Sequence, residues 1–141
     1  MSFRKVLASV FVLAMALLVV APGVEAKSGR IERRIALTAT SAGRAIDASG
    51  SARFRVEGSR QDLRVEVEAR VAAGTRLSVY VTHGGTTVKA GTITVNSLHE
   101  GELELKNYDG KRLPAGVGPV NTIAKVTVKN ANGTVILSGS F

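Results

Sequence analysis

The chain has 141 residues, contains no cysteine and carries a formal net charge of +8 at pH 7. The lack of cysteine excludes a disulfide scaffold, thiol catalysis, thiolate metal sites and an anchor through a lipidated cysteine. The excess of basic residues favours anionic partners such as acidic polysaccharides or envelope surfaces. Nucleic acid is disfavoured, because such sites use stacking aromatics and the chain has only four Phe, two Tyr and no Trp.

The start of the chain has the pattern of a secretory signal peptide, residues 1–26. Arg4 and Lys5 form a basic start, and an apolar run with one serine is followed by Pro-Gly. Small residues before the cut place cleavage after Ala26, with Ala21 as the alternative. The apolar run is shorter than the about 20 residues of a membrane-spanning helix. We therefore expect a cleaved leader and an exported bacterial protein, either periplasmic or extracellular.

Residues 27–141 are predicted to form a single domain. Cleavage after Ala26 leaves 115 residues, which is enough for one hydrophobic core. It also removes two basic residues and one acidic residue, leaving 17 basic and 10 acidic residues and a net charge of +7. The densest basic cluster then lies at the new N-terminus, and we predict that it binds the anionic partner. This cluster comprises Lys27, Arg30, Arg33 and Arg34.

After the leader, apolar and polar residues alternate with a period of two, which is typical of half-buried strands. The clearest case is residues 62–71, where Leu63, Val65 and Val67 alternate with charged side chains. A loose stretch of small residues at 41–50 predicts a loop, and no helix is predicted after the leader. The eight predicted strands span residues 31–40, 52–57, 62–71, 76–82, 86–95, 102–106, 122–129 and 135–141.

Turn residues separate the strands at short intervals. Residues 58–61 and the pair Gly84-Gly85 predict two hairpins. Short strands with a charged outer face are typical of antiparallel sheets that bury one side only. We therefore predict an all-β fold, an antiparallel β-sandwich of about seven to eight strands with an Ig-like or Greek-key order, with a small barrel as the alternative.

No arrangement of residues predicts catalysis or a cofactor. The two histidines, His83 and His99, lie in separate turns and are weak candidates for metal ligands, because a zinc site needs three or four ligands brought together. The paired glutamates of the alternating strands lie among basic residues, which is typical of an exposed strand face rather than of a glycosidase pair. We predict a protein that is not an enzyme.

Three segments in the first half of the domain carry a recognisable pattern: ASGSARF at 48–54, VTHGG at 81–85 and AGTI at 90–93. Through them, the chain between residues 35 and 95 resembles the CHRD type of secreted β-domain. Domains of that type have a His-x-His element near the second segment, where this chain has His83 alone. The resemblance therefore implies an extracellular β-sandwich and no activity. The later segments LPAG and NGTV are similar to small secreted bacterial proteins.

These features predict an exported, non-enzymatic β-sandwich that binds or adheres to an anionic component of the envelope or matrix. Two alternatives stay open. The last strand contains the apolar, uncharged run Val135-Ile136-Leu137, whose edge would allow a structural module to associate with other chains. A metal-dependent enzyme using His83 and His99 would require that their two loops meet in the fold.

Overall fold

Eight strands form at the eight alternating segments, with ends that differ from the predicted ones by up to three residues, and the all-β prediction is confirmed. The computed structural model describes residues 29–141, so the leader and Lys27 lie outside the described residues. The strands are β1 (Arg30–Ala39), β2 (Ser49–Glu57), β3 (Arg60–Glu68), β4 (Arg76–His83), β5 (Thr86–Thr94), β6 (Glu100–Lys106), β7 (Lys125–Lys129) and β8 (Val135–Ser140).

The core is built from the inward-facing half of each alternating strand. In β3, Leu63, Val65 and Val67 are buried, while the charged residues that alternate with them after Leu63 are partly or fully exposed. The same alternation appears in β4 and β7, as expected for strands with one wet face. At the end of the chain, the ring of Phe141 packs edge-to-face on Phe54 with centroids 4.8 Å apart. The last residue thereby belongs to the core.

The strands form one eight-stranded antiparallel sheet in the order β5-β4-β7-β8-β1-β2-β3-β6. Its two end strands, β5 and β6, approach each other, so the sheet nearly closes into a barrel. The division into two sheets that defines a sandwich is not confirmed. Strand β8 pairs with β7 on one side and β1 on the other. It is therefore not the free edge on which the self-association alternative rested.

Glycines permit the close approach of β5 and β6. A Cβ on Gly101 would contact the side chain of Ile93 and come within 3.0 Å of the Thr94 carbonyl oxygen. A Cβ on Gly91 would lie 2.8 Å from a methyl group of Leu103. The two strands thus meet through positions that only glycine can occupy without displacing a neighbour.

Both predicted hairpins form, and each turn has the backbone that its sequence requires. Strands β4 and β5 are joined by Gly84 and Gly85, whose φ angles are +48° and +148°. Both central positions of this tight two-residue turn have positive φ, which glycine adopts at little cost. Strands β2 and β3 are joined through Gly58, with φ of +60°.

Two short helical turns were not predicted. The helix α1 (Ser41–Arg44) occupies the stretch expected to be a loop, because the Thr40 hydroxyl caps it by accepting from the Gly43 N–H at 3.2 Å. The same hydroxyl donates to the Val135 carbonyl at 2.6 Å and ties α1 to β8. A 3-10 turn occupies Val120–Thr122, so the seventh strand begins at Lys125 and not at residue 122 as predicted.

Candidate functional site

The outer surface of β4, β5, β7 and β8 is composed almost entirely of hydroxyl groups and cations. Alternation places their buried valines and leucines inside and the residues between them outside. We call this surface, together with Thr38 of β1, the hydroxyl-lysine face. Its members are Thr38, Arg76, Ser78, Tyr80, Thr82, Thr87, Lys89, Thr92, Thr94, Lys125, Thr127, Lys129, Ser138 and Ser140.

Strand register aligns these side chains in ranks that run across the strands. The central rank crosses five strands through directly paired residues: Thr38, Ser138, Thr127, Tyr80 and Lys89. Adjacent strands lie about 4.8 Å apart, so neighbours within a rank have nearly that spacing. The result is a regular row of hydrogen-bonding groups that ends on a lysine.

A second rank lies next to the central one, toward the β4–β5 hairpin. It runs through Ser140, Lys125, Thr82 and Thr87. The hydroxyls of Thr82 and Thr87 are 2.8 Å apart and share a hydrogen bond. That bond fixes the orientation of two hydroxyls of the face while leaving their remaining lone pairs and proton for another partner.

Tyr80 lies in the middle of the hydroxyl-lysine face. Its ring is half-buried and has the ammonium of Lys129 4.4 Å from its centroid, a cation–π contact. Lys89 is its direct partner across β5, and Thr127 is its partner across β7. Tyr80 is thus the aromatic platform of a surface whose charges are all positive.

The two halves of the sheet differ sharply in charge. Residues 69–99 and 110–141, which contain β4, β5, β7 and β8, include no Asp or Glu and seven Lys or Arg. The acidic residues of the domain therefore lie on β1, β2, β3, β6 and the turns next to them. An anion approaching the hydroxyl-lysine face meets hydroxyls and cations without a carboxylate among its members.

The outer face of β3 and β6 has the opposite character. Glu66 pairs directly with Glu102 and Glu68 with Glu100 across the two strands, which places like charges opposite each other. These four glutamates line a cleft of about 690 Å³. Nη2 of Arg64 lies 2.7 Å from Oε2 of Glu102. The hydrogen bond between the two side chains raises the pKa of the Arg64 guanidinium above its ordinary value.

A polar cluster at the other end of this face surrounds Asp62, the one buried charged residue within 29–141. Arg55 donates to one of its oxygens at 3.0 Å, and Tyr108 donates to the same oxygen at 2.9 Å. Arg53 lies 3.5 Å from the other oxygen. The hydrogen bond to Asp62 raises the pKa of Arg55 above its ordinary value. Within the described residues, Arg53 Nε and the second Asp62 oxygen form no hydrogen bond, but the ion pairs and the bonds from Arg55 and Tyr108 join these groups to one another, so we interpret the cluster as structural.

No family model matches the chain, and no curated protein matches it as a relative. The resemblance to CHRD-type domains stays a prediction from sequence segments, and the site must be judged from its geometry.

The basic cluster predicted from the sequence is only partly described. Arg30 opens β1, and Arg33 is exposed three residues later. Arg34 lies on the opposite side of the strand from Arg33, as neighbouring strand residues do, and donates to Glu66 at 3.1 Å. Lys27 lies outside the described residues. Arg33 and Arg34 therefore lie on opposite sides of β1, and Arg34 is paired with a glutamate.

The two histidines lie at opposite ends of β5. His83 precedes the β4–β5 hairpin and shares a hydrogen bond of 2.8 Å with the Thr122 hydroxyl. His99 precedes β6, with its Nδ1 3.3 Å from the Val71 carbonyl. Because nine-residue β5 separates the loops, roughly 25 Å of extended chain lies between them and they cannot ligate one ion together. Over residues 29–141, no group of three or more His, Asp or Glu is arranged to hold a metal.

The part of the chain from residue 29 onward contains no helix that is long and apolar enough to cross a membrane.

The sequence reasoning missed the hydroxyl-lysine face, although one signal for it was present. The absence of acidic residues from 69–99 and from 110–141 is visible without a structure. The cations in these segments are dispersed, so a search for local basic runs finds only the N-terminal cluster. Their common surface arises from the pairing of β7 with β4, which are distant in the chain.

Proposed function

We propose that this protein is an exported, non-enzymatic binding module that holds an anionic component of the envelope or matrix on its hydroxyl-lysine face. The observation that carries the proposal is the segregation of charge. Four adjacent strands present cations and hydroxyls outward, and the segments that contain them have no acidic residue.

For binding an anionic polymer, the separation of cations from carboxylates matters more than the net charge of the protein. Cations next to carboxylates have their charge neutralised, whereas the three lysines of the hydroxyl-lysine face are each paired with an uncharged residue of β4. At physiological ionic strength the Debye length is about 8 Å, so cations on adjacent ranks act together on one polyanion. This surface provides long-range attraction, and its hydroxyls provide short-range hydrogen bonds.

A matched pair of double variants tests the location of the site. Lys89→Glu with Lys125→Glu reverses two cations of the face, and Lys27→Glu with Arg33→Glu reverses two cations of the N-terminal cluster. Both change the net charge by the same amount. Retention on immobilised dextran sulfate, measured as the salt concentration needed for elution, reports binding, and circular dichroism confirms folding.

We expect the face variant to elute at a much lower salt concentration than the wild type, because two attractive contacts become repulsive. The N-terminal variant should retain most of the affinity. Equal losses in the two variants would show that net charge alone acts, and a greater loss in the N-terminal variant would move the site to β1. A wild-type protein that is not retained at low salt would refute the proposed function.

A further inference from the structure

From the pattern of the hydroxyl-lysine face we infer that its occupant is an acidic polysaccharide whose chain lies across the strands, along the ranks. This inference rests on the proposed function and narrows it to one class of polymer. It depends on three properties of the face: the nature of its polar groups, the spacing of its cations and the position of Tyr80.

The polar groups of the face match a polymer that is itself rich in hydroxyls. A serine or threonine hydroxyl donates one hydrogen bond and accepts others, as a sugar hydroxyl does. In the central rank, Thr38, Ser138 and Thr127 occupy three successive strands. The strand spacing of about 4.8 Å is close to the length of one sugar unit in an extended chain. A polysaccharide along the rank thus meets one hydroxyl per strand.

The cations are too sparse for a densely charged polymer. Lys125 and Lys129 are four residues apart on β7, a separation of about 13 Å. Lys125 and Lys129 on β7 lie two strands from Lys89 on β5, so along the direction of the ranks these lysines are about 10 Å apart. A nucleic acid strand in a duplex carries a phosphate about every 3.4 Å along the axis. The spacing instead suits a polysaccharide with a carboxylate or sulfate on alternate sugars.

Tyr80 provides a flat apolar group in the central rank, between Thr127 and Lys89. A ring with a polar hydroxyl tip suits contact with the apolar face of a sugar. Lys129 above the ring and Lys89 beside it place two cations around that position. Binding of single-stranded nucleic acid would instead use several aromatic side chains for successive bases, and Tyr80 is the single aromatic member of this face.

The test measures binding of the processed, exported protein to polymers that carry similar total charge at different charge densities. They are a polysaccharide of alternating glucuronate and N-acetylglucosamine, polyphosphate and single-stranded DNA, with vesicles of phosphatidylglycerol and neutral dextran for comparison. Calorimetry measures binding of each. Thr127→Val and Thr82→Val remove hydroxyls of the face without changing charge, and Thr134→Val, at an exposed loop position, is the matched control.

We expect the alternating polysaccharide to bind at least tenfold more tightly than polyphosphate or DNA. The two face variants together should weaken polysaccharide binding by about five- to tenfold and leave binding to polyphosphate unchanged, while Thr134→Val changes neither. If polyphosphate, DNA or vesicles bind as well as the polysaccharide, or if the hydroxyl variants have no effect, this inference is wrong and the proposed function stands. If no anionic probe binds, both fail.

Discussion

Asp62 provides the sharpest test of how the sheet is stabilised. Its side chain is 3% exposed, and it faces Arg53 and Arg55, whose side chains are 16% and 31% exposed. Replacing Asp62 with Asn preserves shape and removes the charge. The two guanidiniums then lose their common anion, and the hydroxyl of Tyr108 loses a charged acceptor.

The expected loss in the free energy of unfolding follows from the burial of Asp62. Removing one partner of a buried ion pair costs about 3–5 kcal/mol, because the remaining charge is left without compensation. Both arginines reach solvent in part and the amide oxygen still accepts a hydrogen bond, so for Asp62→Asn we expect a loss of about 2–3 kcal/mol in the free energy of unfolding. For a domain of this size, about 4 °C in melting temperature accompanies each kcal/mol, so the midpoint should fall by roughly 10 °C.

Urea unfolding followed by circular dichroism measures this loss. The matched control is Glu66→Gln, the same chemical change on the outer face of the same strand. Glu66 and its partner Arg34 are 44% and 53% exposed, so that pair should contribute less than about 1 kcal/mol. Tyr108→Phe should lower the free energy of unfolding by an amount between these two losses, near 1 kcal/mol, which is about the value of one hydrogen bond. Equal stabilities for Asp62→Asn and Glu66→Gln would refute the assignment of Asp62 as the structural centre of its cluster.

Further predictions concern the close approach of β5 to β6 and the cleavage site of the leader. Gly101→Ala should destabilise the fold by about 2–3 kcal/mol, because the added methyl group meets a fully buried side chain and a carbonyl oxygen. Gly91→Ala should cost less in the same urea titration, because it meets the end of the partly exposed Leu103 side chain, and a reversed order would contradict this packing. Intact mass of the exported protein should correspond to a chain beginning at Lys27, and a chain beginning at Pro22 would instead indicate the alternative cleavage site.

Strand positions were predictable because alternation is a local property of the sequence. The alternation in β3, which places Leu63 and Val65 on the inward side, follows from the need to bury one face of the strand. The helix α1 was missed because four residues give too little periodicity, and its decisive feature is the Thr40 cap against β8. A helix of one turn is stabilised by such tertiary contacts rather than by propensity.

The order of the strands was not predictable from alternation, which determines the buried side of a strand but not its neighbours. The pairing of β1 with β8 and of β3 with β6 joins distant segments, and it decides that the sheet is continuous. The candidate site depends on the same long-range pairing. Thr38 on β1 and Lys89 on β5 belong to the same rank as Ser138 only because β8, β7 and β4 lie between β1 and β5.

The most direct test of the central claim is a residue-by-residue binding map. The processed, isotope-labelled protein is titrated with a sulfated hexasaccharide at low salt, and amide chemical shifts are followed by NMR. The account predicts that the largest changes fall on β4, β5, β7 and β8, centred on Tyr80, and fade as salt is added. Changes centred on Arg33 and Arg34, or on the outer face of β3 and β6, would contradict it.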